Sequence, residues 1–207
     1  MNFWDRFERV ADDWDVLRHP FYERWNRGEL LRDELARYSG QYRHAVVALA
    51  DASAKAADGA DESVRPHLAE HAEEEASHVA LWDQFVEEVG GDTGAGAAPE
   101  TQLCADAWVG QDRSTPEALA ALYAIESAQP RIASVKRDGL IAHYGVDAGP
   151  GTEYFDLHAE LDHDHAAQHR ALLEPLVGRG HDEEMLAAVR EALAGNWALL
   201  DGIDRAS

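Results

Sequence analysis

The chain has 207 residues, of which 45% are hydrophobic, so it can bury a sizeable core, and we expect one domain over residues 1–207. Its 40 acidic and 18 basic side chains give a formal net charge of -22, which repels nucleic acids and other phosphate-rich partners. A single cysteine, Cys104, excludes an internal disulfide, and neither a membrane span nor a signal peptide is evident, so we expect a cytoplasmic protein without membrane association.

Apolar spacings of three and four dominate the sequence, and alternating Val/Ile/Thr runs are nearly absent, which predicts an all-α fold. Thr115 before Pro116 is typical of a helix N-cap, and the glycine-rich segment 90–100 is expected to be a mobile surface loop. About seven helices around one core are expected, roughly over residues 3–17, 30–57, 64–89, 102–110, 115–144, 152–177 and 182–203.

The sixth predicted helix contains HAELDHDHAAQH, residues 158–169. At 100° per residue, His158, Asp162, His165 and His169 share one face of this helix. Imidazoles and a carboxylate on one face suit iron or manganese, and a polar solvent-exposed face is the alternative. Apolar side chains on the same helix indicate burial, where unpaired charge is costly and a metal would offset that cost. His169 lies one turn beyond the expected ligands, either as a partner of a ligand or as a surface residue.

A second cluster lies in EHAEEEASHVALWDQF, residues 70–85. Glu75 and His78 form Glu-x-x-His, the pair with which helical di-iron proteins aim a carboxylate and an imidazole at one point. Glu74 and His71 are within reach of the same face, so the sequence does not decide which of these side chains, within one helical turn of Glu75, is the first ligand.

Glu126 lies in the apolar sequence LYAIESAQP, residues 122–130. Pro130, four residues later, removes one helical hydrogen bond and predicts a local bend. Glu126 is therefore a candidate bridging carboxylate, and the alternative is an ordinary kink with an exposed glutamate. The three segments together supply ligands for two metal ions with open positions for dioxygen, namely Glu75, His78, Glu126, His158, Asp162 and His165.

Several segments resemble the heme-oxygenase-like di-metal oxidases. They are HPFYERWNRGEL (19–30), ARYSGQY (36–42), HVALWDQF (78–85), IESAQPRIASVKRDGLIAHYG (125–145), YFDLHAELDHDH (154–165) and NWALLDGID (196–204). Within that superfamily the sequence is most similar to the family formed by the Chlamydia protein associating with death domains and the bacterial para-aminobenzoate synthases. The resemblance implies a bundle of about seven helices with an interior site, two iron ions or an iron–manganese pair, and the six ligands above.

The same resemblance implies chemistry on the protein's own side chains. Aminobenzoate synthases of this family form the product ring from a tyrosine, with a lysine involved in amination. The matching residues are Tyr22 and Lys136, with Tyr38 and Tyr154 as further tyrosines. The resemblance also implies dioxygen and an external reductant as small-molecule partners, a role in folate biosynthesis, and a homodimer.

Four alternatives stay open at this point. Related di-iron oxidases act on fatty acids or amino acids, so the metal ligands do not fix the substrate. A TenA-like aminopyrimidine hydrolase would use a cysteine nucleophile, for which Cys104 is the only candidate. A PqqC-like cofactor-free oxidase binds an anionic quinone precursor, which the acidic composition disfavours. A non-catalytic helical partner protein is the fourth.

Overall fold

The computed structural model describes residues 1–206, except for the side chain of Leu161. Within this part of the chain all regular structure is helical. The α-helices are α1 (Phe3–Asp13), α2 (Pro20–Asn26), α3 (Arg32–Asp58), α4 (Arg65–Glu88), α5 (Pro99–Val109), α6 (Thr115–Glu126), α7 (Gln129–Gly139), α8 (Glu153–Leu173) and α9 (Asp182–Arg205). Short 3-10 turns cover Val16–Arg18 and Glu174–Leu176, and a wider π turn covers Leu140–Tyr144.

Residues 1–206 thus contain nine α-helices where about seven were expected, for two local reasons. The segment after His19 forms its own helix, α2, because the imidazole Nδ1 of His19 accepts a hydrogen bond from the backbone N–H of Phe21 at 3.1 Å. The helix predicted over 115–144 is interrupted after Glu126, and Pro130 lies in the first turn of α7, where a missing amide costs nothing. Pro130 therefore starts a helix rather than bending one.

Two other expectations are corrected at the surface. The N-cap of α6 is Ser114, which forms a capping box with Glu117, whereas the hydroxyl of Thr115 donates to the carbonyl of Gly59 at 3.0 Å. The glycine-rich loop is hydrogen-bonded to α3, since the side-chain amide of Gln41 donates to the carbonyl of Gly96 at 2.9 Å and accepts from the N–H of Ala98 at 2.8 Å. This loop is therefore anchored, not detached from the helices.

Helix packing brings α4, the C-terminal end of α6 and α8 together. The long helix α3 packs along α4 and α5, α9 packs against α5 and α6, and α8 lies against α6, α7 and α4. The largest hydrophobic cluster is rich in aromatic side chains from α2, α3, α4 and α8, among them Tyr22, Trp25, Tyr38, Tyr42, Trp82, Phe85, Tyr154 and Phe155. Among the described residues, no helix is both long and apolar enough to cross a bilayer.

Candidate metal centre

Eight histidine and carboxylate side chains converge in the interior of the helical bundle, and each is at most 7% exposed. Helix α4 presents three of them at i, i+4 and i+7, and α8 presents four at i, i+4, i+7 and i+11, so each set lies on one helix face. The eighth is the last residue of α6. They are His71, Glu75, His78, Glu126, His158, Asp162, His165 and His169. All six expected ligands are in this cluster, and His71 and His169 join them.

One group of possible ligands, position A, consists of Glu75, His78 and His158. Their donor atoms all lie within 4.8 Å of one another. Nδ1 of His78 is 3.3 Å from Oε1 of Glu75, and the rings of His78 and His158 have centroids 4.7 Å apart. Position A therefore combines two imidazoles and one carboxylate, the set typical of non-heme iron(II) sites.

A second group, position B, consists of His71, Glu126 and His169, whose donor atoms also lie within 4.8 Å of one another. Nδ1 of His169 is 2.7 Å from Oε2 of Glu126, and Nε2 of His71 is 3.2 Å from Oε1 of the same carboxylate. From the sequence, His169 could be either a partner of a ligand or a surface residue. In the structure it is buried against Glu126. Position B again offers two imidazoles and one carboxylate.

His165 and Asp162 lie beside these positions. The donor atoms of His165, His71 and Glu75 form a third group within 4.8 Å. Nδ1 of His165 is 3.6 Å from Oδ1 of Asp162, and Asp162 is fully buried. Among the described residues, Asp162 is in none of the three groups of possible ligands. Its carboxylate contacts His165 instead.

Many of the donor atoms in this cluster lack hydrogen-bond partners among the described residues. They are both ring nitrogens of His71, both oxygens of Glu75 and Asp162, Oε1 of Glu126, Nδ1 of His78 and His165, and Nε2 of His158. A buried polar atom without a partner costs about 1–3 kcal/mol, and so dense a group of them needs an explanation. Metal ions that take nitrogen and oxygen ligands would satisfy these atoms together, so the residues fit a di-metal centre.

Hydrogen bonds outside the cluster fix which nitrogen of two histidines faces the centre. Nδ1–H of His158 donates to the carbonyl of Tyr154 at 2.7 Å and leaves Nε2 free. Nε2 of His165 lies 2.9 Å from a carboxylate oxygen of Glu74 and leaves Nδ1 free. Histidine ligands of metals usually donate their other N–H in this way. Glu74, the alternative to Glu75, therefore contacts His165 from outside the centre, and its side chain is half-exposed.

Burial and neighbouring charges shift the pKa values of the side chains in this cluster in different directions. Burial raises the pKa of Asp162, and the proximity of Asp162 raises the pKa of His165 to about 9. Burial works against the ionisation of Glu126, but His169 and His71 hold the pKa of its carboxyl well below the usual range. Burial lowers the pKa of His158. Metal binding requires neutral imidazoles and ionised carboxylates, so it displaces protons from this cluster.

A buried cluster of tyrosines around one lysine, called the tyrosine pocket below, lies next to the candidate metal centre. The hydroxyl groups of Tyr22 and Tyr38 are 2.7 Å apart, and both side chains are at most 1% exposed. Nζ of Lys136 lies over the rings of Tyr22, Tyr38 and Tyr42, at 5.3, 5.8 and 4.3 Å from their centroids. Burial lowers the pKa of Lys136 to about 7 and raises the pKa of both Tyr22 and Tyr38. The pocket therefore holds two neutral phenols beside an amine that is only partly protonated at neutral pH.

Aromatic rings connect this pocket to position A. Tyr154 stacks on His158 with centroids 4.0 Å apart, and Trp82 packs edge-on against Tyr154 at 4.8 Å. Trp82 is also 6.1 Å from Tyr38, and its indole N–H donates to the carbonyl of Ser39 at 2.8 Å. The sequence places Trp82 one turn after His78 and so towards the core, but its position between Tyr38 and Tyr154 is visible only in the packed structure.

Cys104 does not have the environment of a nucleophile. The thiol is fully buried, and burial raises its pKa well above the ordinary value. Its backbone faces Gly195 of α9, where an added Cβ would lie 3.2 Å from the Cα of Cys104. Reactive cysteines are ionised and accessible, so Cys104 packs α5 against α9 instead.

Comparisons with known proteins agree with this centre. The sequence model of a family described as iron-containing redox enzymes matches residues 36–197. The 4-aminobenzoate synthase of Nitrosomonas europaea is 32% identical over 97% of this chain and 90% of that protein. The protein of the same name from Chlamydia muridarum is 30% identical over 97% of this chain and 89% of its own.

Solved structures confirm the fold class. A domain from Shewanella denitrificans, described as having a heme oxygenase-like fold, superposes with a TM-score of 0.84 at 17% identity, covering 100% of this chain and 93% of that one. A TenA homologue from Pseudomonas syringae pv. tomato gives a TM-score of 0.85 at 16% identity, covering 98% and 93%. At these identities the similarity shows a shared helical fold alone, and the chemistry has to be argued from the residues of the site.

Proposed function

This chain belongs to the family of iron-containing redox enzymes, and we propose that it is a dioxygen-dependent 4-aminobenzoate synthase that forms its product from its own Tyr22. Relatives named 4-aminobenzoate synthase align with almost the whole chain. The observation that carries the proposal is the buried pocket in which Lys136 lies over the rings of Tyr22 and Tyr38 beside the metal centre.

The covalent structure of the product supports a tyrosine as its source. The ring and Cβ of tyrosine correspond to the ring and carboxyl carbon of 4-aminobenzoate, and the phenol oxygen stands where the product carries its amine. Release of the product thus requires cleavage of the Cα–Cβ bond, oxidation of Cβ and exchange of oxygen for nitrogen. When bound, two iron ions or an iron–manganese pair supply the activation of dioxygen, with electrons from an external reductant.

The surroundings of Tyr22 favour oxidation of its phenol ring. Its hydroxyl shares a short hydrogen bond with Tyr38, so the proton of the phenol has an immediate acceptor when an electron leaves the ring. Phe21 and Trp25 pack edge-on against the ring of Tyr22 and Tyr38 stacks on Phe21, which excludes water from the pocket. Trp82 and Tyr154 extend ring contacts from Tyr38 to His158.

Lys136 is proposed as the nitrogen source. After two-electron oxidation of the Tyr22 ring by dioxygen, the amine adds at the carbon that carries the phenol oxygen, which leaves as water. The electron pair of a Cε–H bond of Lys136 then returns to the ring, and hydrolysis of the imine between Cε and Nζ leaves the nitrogen on the ring and an aldehyde on the former lysine. Burial lowers the pKa of Lys136 to about 7, so about half of the amine is neutral at neutral pH and carries a free electron pair. Its position over the face of the tyrosine rings, 5.3 Å from the centroid of Tyr22, keeps the amine close to the carbon atoms that it would aminate.

The proposal is tested by product formation in tyrosine variants. Metal-free protein is loaded with iron, with and without manganese, then exposed to dioxygen and a reductant, and 4-aminobenzoate is quantified by mass spectrometry. The native chain is expected to give at most one product per chain, Tyr22→Phe none, and Tyr38→Phe less than the native chain. Tyr123→Phe is the matched control, because the ring of Tyr123 packs against Trp4 and Phe7, away from the tyrosine pocket.

Formation of 4-aminobenzoate by Tyr22→Phe would refute the proposal. Repeated turnover of an added small molecule with Tyr22 left intact would identify a conventional di-metal oxidase instead.

A further inference from the structure

We propose that the second metal position is an iron(II) site formed by His71, Glu126 and His169, and that this ion exchanges with solvent through a cleft between α4 and α8. The inference rests on the proposed function only in taking iron as the metal. The resemblance described above assigns neither His71 nor His169 as a ligand and includes Asp162 and His165 instead.

His71 has the position and the free atoms of a ligand. It is 5% exposed, and it precedes Glu75 by four residues and His78 by seven, so all three face the centre from α4. Neither ring nitrogen of His71 has a hydrogen bond of good geometry among the described residues. An imidazole buried with two unsatisfied nitrogens is costly, and bonding one of them to a metal would remove part of that cost.

His169 and His71 contact different oxygen atoms of the Glu126 carboxylate. Nδ1 of His169 is 2.7 Å from Oε2 of Glu126, and Nε2 of His71 is 3.2 Å from Oε1. Two donor atoms at right angles on one ion, each about 2.1 Å from it, are separated by about 3 Å. The rings of His71 and His169 are nearly perpendicular, with centroids 4.8 Å apart. Both imidazoles therefore converge on Glu126 at spacings that suit a shared ion.

Position B lies closer to the surface than position A, because two of its residues line a cleft that none of the residues of position A lines. His71 and His169 line a cleft of about 370 Å³, together with His165 and the exposed side chain of His67. An adjoining cleft of about 260 Å³ adds the carboxylates of Glu70 and Glu74.

Position A is packed against the aromatic core instead. Tyr154 stacks on His158, and Trp82 lies behind Tyr154. We therefore expect the two ions to differ in how fast they exchange with solvent.

Iron stoichiometry tests the ligand assignment. Native protein, His71→Ala and His169→Ala are equilibrated anaerobically with iron(II), and bound iron is measured after removal of free metal. We expect two ions per chain in the native protein and one in each variant. His163→Ala is the control and is expected to retain two, because His163 is an exposed histidine of α8 that lines neither cleft. His71→Gln and His169→Gln, which keep a polar side chain of similar size, are measured in parallel in case the alanine cavities disturb folding.

Release kinetics test the access route. Iron(II)-loaded native protein is mixed with an excess of a coloured iron(II) chelator, and absorbance is followed with time. We expect two phases of one equivalent each, with the faster phase at least tenfold faster and missing from the His71 and His169 variants.

Two tightly bound ions in the glutamine variants, or a single release phase in the native protein, would overturn the inference. These outcomes are independent of product formation. Native protein that shows both phases but yields no 4-aminobenzoate would refute the proposed function alone, whereas product formation with unchanged iron content in the variants would refute this inference alone.

Discussion

Lys136 lies in an environment that opposes its ordinary charge. The side chain is 1% exposed and surrounded by aromatic rings, and no ion pair among the described residues includes it. Cation–π contacts offset only part of the cost of removing an ammonium group from water. Retaining a lysine here is unfavourable for folding, which is the usual sign that a residue serves a function.

The lowered pKa of Lys136 predicts a specific dependence of stability on pH. The folded-state pKa of about 7 lies below the unfolded value of about 10.4, so protonation favours the unfolded chain. The resulting destabilisation is fully present below pH 7 and disappears as the pH rises towards 10.4. Lys136→Met is therefore expected to be more stable than the native chain at pH 6, by at most on the order of 5 kcal/mol, with the difference narrowing towards pH 10.

Urea unfolding of the metal-free proteins between pH 6 and pH 10 measures this difference. Lys55→Met, which removes an exposed lysine that donates to Gln111, should show no such change with pH. A stability difference between Lys136→Met and the native chain that stays constant over the whole pH range would contradict the account of Lys136.

Glu74 is expected to orient His165. Its carboxylate lies 2.9 Å from Nε2 of His165 and so directs Nδ1 towards the centre. His165 belongs with His71 and Glu75 to the third group of possible ligands, so it can add a donor atom next to either position. Removal of the partner of a ligand typically weakens metal binding about 10- to 100-fold, so Glu74→Ala should raise the dissociation constant for iron(II) by this factor while the fold is retained. Glu73→Ala, an exposed neighbour on α4, is the control. Equal affinities of the two variants would mean that Glu74 is only a surface residue.

The contact between α2 and α7 positions the tyrosine pocket. Gly139 of α7 faces Trp25, and a Cβ at this residue would lie 2.5 Å from the indole ring. Trp25 is fully buried, donates its indole N–H to the carbonyl of Lys136 at 3.2 Å, and packs against Tyr22 and Tyr38. The absence of a side chain at residue 139 therefore lets α7 place Lys136 against α2.

A methyl group at Gly139 should displace Trp25 and weaken this contact. Gly139→Ala is expected to lose about 1–3 kcal/mol of stability through overpacking and to alter the tyrosine pocket. Thermal unfolding and near-ultraviolet circular dichroism measure the two effects. Gly96→Ala, where an added Cβ meets no atom within 4 Å, should change neither signal. Unchanged stability of Gly139→Ala would show that Trp25 has room to move.

Helix boundaries explain part of what the sequence could and could not predict. Helical periodicity found the ligand faces of α4 and α8, because residues at i, i+4 and i+7 share a face whatever the surrounding fold. The break between α6 and α7 was not predicted, because a proline is equally compatible with a kink and with the first turn of a new helix. That break is what ends α6 at Glu126.

The part of the site that the sequence could not predict depends on contacts between segments that are far apart in the chain. His71 and His169 are 98 residues apart in numbering, and their shared contact with Glu126 depends on the relative height of three helices, which periodicity does not give. The tyrosine pocket was suggested by resemblance, whereas the place of Trp82 between Tyr38 and Tyr154 required the packed structure.

The assembled molecule combines a candidate metal centre, a line of aromatic rings and a buried tyrosine–lysine cluster within one helical bundle. Isotopic labelling of the tyrosines shows whether the protein is itself the source of the product ring. The chain is produced with ring-labelled tyrosine, loaded with iron or with iron and manganese, and given unlabelled dioxygen and reductant. We expect 4-aminobenzoate that carries the ring label, at no more than one molecule per chain, together with a mass loss localised to Tyr22. Unlabelled 4-aminobenzoate, or a labelled product with residue 22 intact, would exclude Tyr22 as the source of the product ring.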